Sequence, residues 1–157
     1  MRIGHGFDTH RFGDDPDRPC VLGGVVFDGV PGLVGHSDAD AVAHAVIDAI
    51  LAAAGLGDIG QLFPDTAPEW EGADSIELLA KAVADVADAG YEVVNVDCTV
   101  VAERPKLAPR RPEMQARLVE VVGAPVTVKG KRAEGLGDLG RGLGVECHAV
   151  ALLSPRT

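Results

Sequence analysis

Residues 35–57 limit the folds open to this chain more than any other stretch. Val42, Ala45, Val46, Ala49, Ile50 and Ala53 recur at helical spacing, and Gly55 and Gly57 stop the pattern. The spacing predicts a helix starting near Ser37 or Asp38, with Ser37-x-x-Asp40 as a capping box in which Asp replaces the usual Glu. Alanine at so many apolar positions leaves little side chain to hold a neighbour away. The helix is therefore expected to pack closely against a sheet or another helix.

The same helix carries chemistry. His44 lies four residues after Asp40 and four before Asp48, so the three share a helical face. Asp8 and His10 are two apart near the N-terminus, on one face of a strand. Four of the five histidines fall in the segments 4–10 and 35–44. One carboxylate and two imidazoles make a borderline zinc-type ligand set with a fourth position left for water or substrate. Ordinary surface or capping residues are the alternative. His36 precedes the helix outside its apolar face, where it either donates to an anionic group or serves as a plain turn residue. Asp48 either holds the second nitrogen of His44 or faces solvent.

The rest of the chain alternates strands and helices. Arg2 to His10 reads as a strand entering the core at Ile3 and Phe7, and Val21 to Phe27 as a hairpin or short strand pair. Residues 57–66 are too rich in Gly, Pro and Asp for an interior element and read as a loop carrying Asp58 and Asp65. Asp74-x-x-Glu77 caps a helix ending at Gly90, and Tyr91 to Val101 is a central strand. A helix through Met114, Leu118, Val121 and Val122 ends at Gly123; strands follow at 126–128 and 145–153. Some neighbouring strands are joined by helices and others are not. That order predicts an α+β fold, a mixed β-sheet with helices packed on one face, in a single domain over residues 1–157. His148, Trp70 and Tyr91 read as structural or packing residues.

A net charge of −10 argues against nucleic acid as a partner. The charge is uneven: Arg104 to Arg141 holds nine basic and four acidic residues, a local +5. Such a segment is either a phosphate site or a solvated basic face. Three widely spaced cysteines suggest reduced thiols. No run approaches a membrane span and Met1-Arg2-Ile3-Gly4 has no signal-peptide core, so a cytoplasmic protein is expected. Gly135-Leu136-Gly137-Asp138-Leu139-Gly140 matches a dinucleotide-binding pattern, but a strand rather than a helix is expected after it, which removes the pyrophosphate seat.

Six segments occur in an order that carries a resemblance: 2–10 (RIGHGFDTH), Gly35-His36-Ser37-Asp38, Leu56-Gly57-Asp58-Ile59-Gly60, Leu62-Phe63-Pro64-Asp65-Thr66, Arg104-Pro105-Lys106 and Gly140-Arg141-Gly142. Together they resemble the 2-C-methyl-D-erythritol 2,4-cyclodiphosphate synthases of the non-mevalonate isoprenoid pathway, over essentially the whole chain. The resemblance implies a homotrimer with active sites between subunits. It implies that the 2-phosphate of 4-diphosphocytidyl-2-C-methyl-D-erythritol 2-phosphate attacks its own β-phosphorus and CMP leaves. Zn2+ would be held by Asp8, His10 and His44, the first two also touching substrate, and Mg2+ or Mn2+ would join the diphosphate through Glu134. His36 and Ser37 would meet the phosphate end. Asp58, Gly60, Phe63 and Asp65 would line the sugar side, and Ala102, Pro105, Lys106, Leu107 and Ala108 the cytidine pocket.

Five positions depart from the family pattern. Lys131-Arg132-Ala133 replaces a run of threonines before Glu134, Asp138 replaces an aromatic, and His148 replaces a glutamate. Lys131 and Arg132 are expected at the phosphates, with Arg132 and His36 as the catalytic side chains. Two other outcomes for Arg132 are a pair with Glu134 and exposure to solvent. Asp138 and His148 are expected to make the trimer's central cavity more polar than in typical relatives, which can hold isoprenoid diphosphates there with an arginine matching Arg141 on the diphosphate, so that such binding is weak or absent; a pair between Asp138 and Arg141 is the alternative. The competing functions are a non-catalytic trimeric metal- or ligand-binding relative, and a metallohydrolase that releases CMP without cyclisation.

Overall fold

The computed structural model covers Met1–Thr157. It has six strands and five helices: β1 (Arg2–Arg11), β2 (Cys20–Leu22), β3 (Val25–Phe27), α1 (Ala41–Ala54), α2 (Ile59–Leu62), α3 (Ser75–Asp88), β4 (Tyr91–Val101), α4 (Arg111–Val122), β5 (Val126–Lys131), α5 (Gly137–Gly140) and β6 (Gly144–Pro155). β1, β6, β4 and β5 form one sheet in that order, and β2 pairs with β3 in a separate hairpin. β6 runs antiparallel to β1 and β4, while β4 and β5 are parallel and joined through α4. This is the mixed sheet that the order of elements predicts. No helix is long and apolar enough to cross a membrane.

α1 lies on the sheet over β1 and β6. It is buried almost all round, with only Asp48 and Ala52 escaping full burial, so its apolar stripe widens to nearly the whole circumference. The helix starts at Ala41 rather than at Ser37. Asp40 is its N-cap and accepts from the N–H groups of Val42 and Ala43. The same carboxylate accepts from Gly23 and Gly24, whose positive φ angles make the β2–β3 turn. One buried side chain thus fixes both the start of α1 and the hairpin beside it.

β1 presents the opposite face to the one its apolar residues suggest. Ile3 is 72% exposed and Phe7 43%, and Gly4 and Gly6 face the core instead. The reason is the close approach of α1. A Cβ on Gly4 would sit 2.1 Å from Ala49 O, and one on Gly6 would sit 1.9 Å from Ala45 O. Only glycine fits under the helix backbone, so the larger side chains turn outward. Beside Phe7 on that open face, His148 contacts His5 Nε2 at 3.1 Å and Glu146 at 3.1 Å, half-exposed rather than packed as a structural residue.

Two further expectations need correction. The 57–66 loop includes α2, a single turn capped by Asp58 through Gln61 N–H. The glycine pattern at 135–140 also contains a helical turn, α5, but it is only four residues long and leads directly to β6. It offers no pyrophosphate seat.

Substituting Gly6 tests the packing argument. Gly6→Ala is expected to cost about 3 kcal/mol or more, seen as a lower denaturation midpoint. Gly130→Ala, whose Cβ would meet Leu107 at an ordinary 3.5 Å, is expected to stay within about 0.5 kcal/mol of wild type.

Candidate active site

The close fit of α1 on β1 brings His44 over Asp8 and His10. Asp8 Oδ2 lies 2.8 Å from His10 Nε2 and 2.9 Å from His44 Nδ1, and the two nitrogens are 3.3 Å apart. Bonds of about 2.0–2.1 Å in a tetrahedron give ligand–ligand edges near 3.3 Å, so this triangle is close to one face of a zinc site.

The hydrogen bonds behind the triangle decide what it presents. His10 Nδ1 is 2.7 Å from Val34 O. A carbonyl only accepts, so Nδ1 carries the proton and Nε2 offers a lone pair. His44 Nε2 lies 2.8 Å from Ser75 Oγ and 3.1 Å from Ser37 Oγ. Ser75 Oγ in turn donates to the Asp38 carboxylate, so it accepts from His44 Nε2–H and leaves Nδ1 free as a lone pair. Three electron-pair donors therefore converge on one point. Burial alone would raise the Asp8 carboxyl, but its contacts with His10 and His44 outweigh burial and hold it well below the usual range. Burial lowers the His10 imidazolium, and the Asp8 hydrogen bond and charge reverse this, leaving its pKa raised. A donor set of this kind suits a borderline divalent cation.

The triangle opens into a cleft of about 400 Å3, also lined by His36, Ser37, Gly60, Phe63 and Asp65. His36 Nε2–H donates to Ala67 O at 3.1 Å, and Phe63 meets the edge of Trp70 with ring centroids 5.1 Å apart. Trp70 thus packs as expected and also walls this cleft. Asp58 is near the cleft as the cap of α2 but does not line it. Asp48 neither reaches His44 Nε2 nor faces solvent alone: its Oδ1 accepts from Ile59 N–H at 2.8 Å and holds α2 in place.

A second cleft, of about 470 Å3, lies where β4 and β5 end. Ala102, Pro105, Lys106, Leu107, Ala108, Lys131 and Arg132 line it together. Arg132 does not pair with Glu134; it lines the cleft, largely exposed, and pairs with Glu103. Its Nε and Nη2 donate to Glu103 Oε2 at 3.0 and 2.8 Å, which lowers the Glu103 carboxyl and raises the guanidinium. Glu134 follows with φ of 53° in the turn after β5 and lines neither cleft. Asp138 does pair with Arg141.

Sequence reasoning assigned no role to Asp38, Ser75, Glu103 or Arg18. Arg18 donates through Nε to Leu33 O and through Nη2 to Gly35 O and Ser37 O, clamping the loop that carries His36. Nothing in the spacing signals these partners. Asp38 lies inside a quoted motif, so its place near the site was the one clue present.

A match to the YgbB family covers residues 1–154. The chain belongs to the YgbB family. It is 51% identical to the 2-C-methyl-D-erythritol 2,4-cyclodiphosphate synthase of Pectobacterium atrosepticum, over 98% of this chain and 93% of that protein. It is also 55% identical, over 98% of its length, to the bifunctional enzyme IspD/IspF of an Anaeromyxobacter species, and spans 40% of that relative. Among solved structures, the IspF of Plasmodium falciparum in complex with CDP superimposes with a TM-score of 0.86 at 34% identity, covering 99% of this chain and 97% of the other. The match to the Pectobacterium synthase thus extends over nearly the full length of both chains.

Ser75→Ala removes the relay from Asp38 to His44. It is expected to weaken zinc binding about 10- to 100-fold, measured by competition with a chromophoric chelator; unchanged affinity would show that the relay does not orient His44. Because the pKa of His10 is raised, metal uptake must displace its proton. Affinity is expected to fall as pH drops through the His10 titration, by about tenfold per unit below it, with proton release seen by calorimetry in two buffers.

Proposed function

We propose that this chain is a 2-C-methyl-D-erythritol 2,4-cyclodiphosphate synthase, a phosphorus–oxygen lyase that closes its substrate's diphosphate into a ring and releases CMP. The observation that carries the reading is the Asp8–His10–His44 triangle with both imidazole tautomers fixed at the mouth of a cleft. The family membership and the CDP bound to a solved relative support the substrate class.

Zn2+ at the triangle would polarise and orient a phosphate oxygen, and Mg2+ or Mn2+ at Glu134 would neutralise the diphosphate. The attacking atom is already a phosphate oxygen, so no side chain has to remove a proton. The work of the protein is then to position and to neutralise charge. His36 and Ser37 would hold the phosphate beside the triangle, with Phe63, Gly60 and Asp65 walling the sugar and Asp58 keeping that wall in place. The cleft at the ends of β4 and β5 would take the cytidine, with Lys131 and Arg132 facing its phosphates and Arg132 stabilising charge on departing CMP.

The two clefts are lined by different segments of the chain, 8–78 and 100–132. We read them as halves of one site, completed between neighbouring subunits of a homotrimer. The open face of the sheet, with Ile3, Phe7 and Val150 exposed, supplies an apolar surface suited to that contact. Reduced buried thiols fit a cytoplasmic enzyme.

The test is a product assay. Incubation with 4-diphosphocytidyl-2-C-methyl-D-erythritol 2-phosphate is expected to yield equal amounts of CMP and the cyclic diphosphate. CMP with a linear product would indicate a hydrolase, and no CMP a binding protein. His44→Ala is expected to lose zinc by metal analysis and to lower kcat/KM by at least about 10³-fold. Sedimentation of wild type is expected to give a trimer; an active monomer would overturn the shared site.

A further inference from the structure

Past the parallel pair β4 and β5, two segments run side by side, tied first by Ala102 N–H donating to Lys131 O at 3.0 Å. One carboxylate makes the remaining ties. Glu103 Oε1 accepts from Ala133 N–H at 2.9 Å, and Oε2 accepts the Nε and Nη2 edge of Arg132. The Glu103 side chain is only 16% exposed, while that of Arg132 is 70% exposed. Arg132 is therefore pinned along one edge, and its outer N–H groups remain open to the cleft. Glu134 is two residues further on, with a left-handed backbone at φ 53°, and Arg132 makes its ion pair with Glu103 rather than with it.

An arginine two residues from a carboxylate is an internal competitor for any cation that the carboxylate would bind. The Glu103–Arg132 pair weakens that competition. Together the two side chains are neutral, and Arg132 still offers N–H donors as a neutral hydroxyl would. Lys106, Arg111 and Lys131 are the other cations lining this cleft, and no hydrogen bond or ion pair ties any of them to Glu103 or Glu134.

We propose that Glu103 is a positioning residue that holds Arg132 off Glu134, leaving Glu134 free for the divalent cation that accompanies a nucleoside diphosphate. The inference rests on the synthase reading above. It adds to that reading a role for a residue outside the metal ligands and the phosphate contacts.

The experiment is a Mn2+ titration of the zinc-loaded protein in saturating CDP, following free Mn2+ by electron paramagnetic resonance. Glu103→Gln keeps the size and one acceptor of the side chain but frees Arg132. It is expected to weaken Mn2+ binding about three- to ten-fold, the scale of one exposed charge pair acting on a divalent ion. Adding Arg132→Thr to that variant is expected to restore binding to within about twofold of wild type, because no competitor is left. Glu134→Gln is expected to abolish the protein-dependent Mn2+ signal. Wild-type affinity in Glu103→Gln, or a double variant as weak as the single one, would overturn the role of Glu103 while leaving the synthase reading intact. A wild-type protein that takes up no Mn2+ beyond that bound by CDP alone would overturn both.

Discussion

Everything in this site depends on how near α1 can come to β1. Side chains normally hold a helix about 10 Å from a sheet. Here Gly4 and Gly6 remove them on one side, and alanines thin them on the other. The two backbones meet, and the residues just beyond, Asp8 and His10 on the strand and His44 on the helix, come within contact distance. The Asp8–His10–His44 triangle is thus a by-product of packing set by glycine and alanine a few residues earlier.

That origin explains which parts of the protein were legible in its sequence. The strand and helix order, the caps at Asp74 and Gly123, and the β4 limits followed from local patterns. Asp8, His10 and His44 were legible because each pair sits on a predictable period. The face of β1 was read backwards because Ile3 and Phe7 are the apolar residues of that strand, and hydrophobicity was taken as the guide to burial. It fails where the neighbour demands no side chain at all. The start of α1 was misplaced by three or four residues because Ser37 and Asp40 are both good caps, and the choice fell to the hairpin glycines that Asp40 also binds.

The supporting groups were not legible for a different reason. Ser75 and Asp38 are 37 residues apart, Glu103 and Arg132 are 29 apart, and Arg18 lies 17 from the carbonyl of Gly35. Their partnerships exist only once the loops have been folded over one another, and no periodicity records them. The ligands of the site were written in local spacing, and the hydrogen bonds that tune those ligands were written in topology.

The sheet order has a bearing on how such a chain is made. In chain order β1 is the first strand of the sheet, and its sole partner there is β6, the last of these strands. Until residues 144–155 exist, the strand carrying Asp8 and His10 has an unpaired edge and an outward row of Ile3 and Phe7. α1 can cover one side of it early, but the ladder must wait for a strand that pairs Gly144 with Arg11, so closing the sheet carries a large cost in loop entropy. Until that partner is in place the strand carrying Asp8 and His10 is half built, which makes the docking of β6 the step that closes its open edge to other chains.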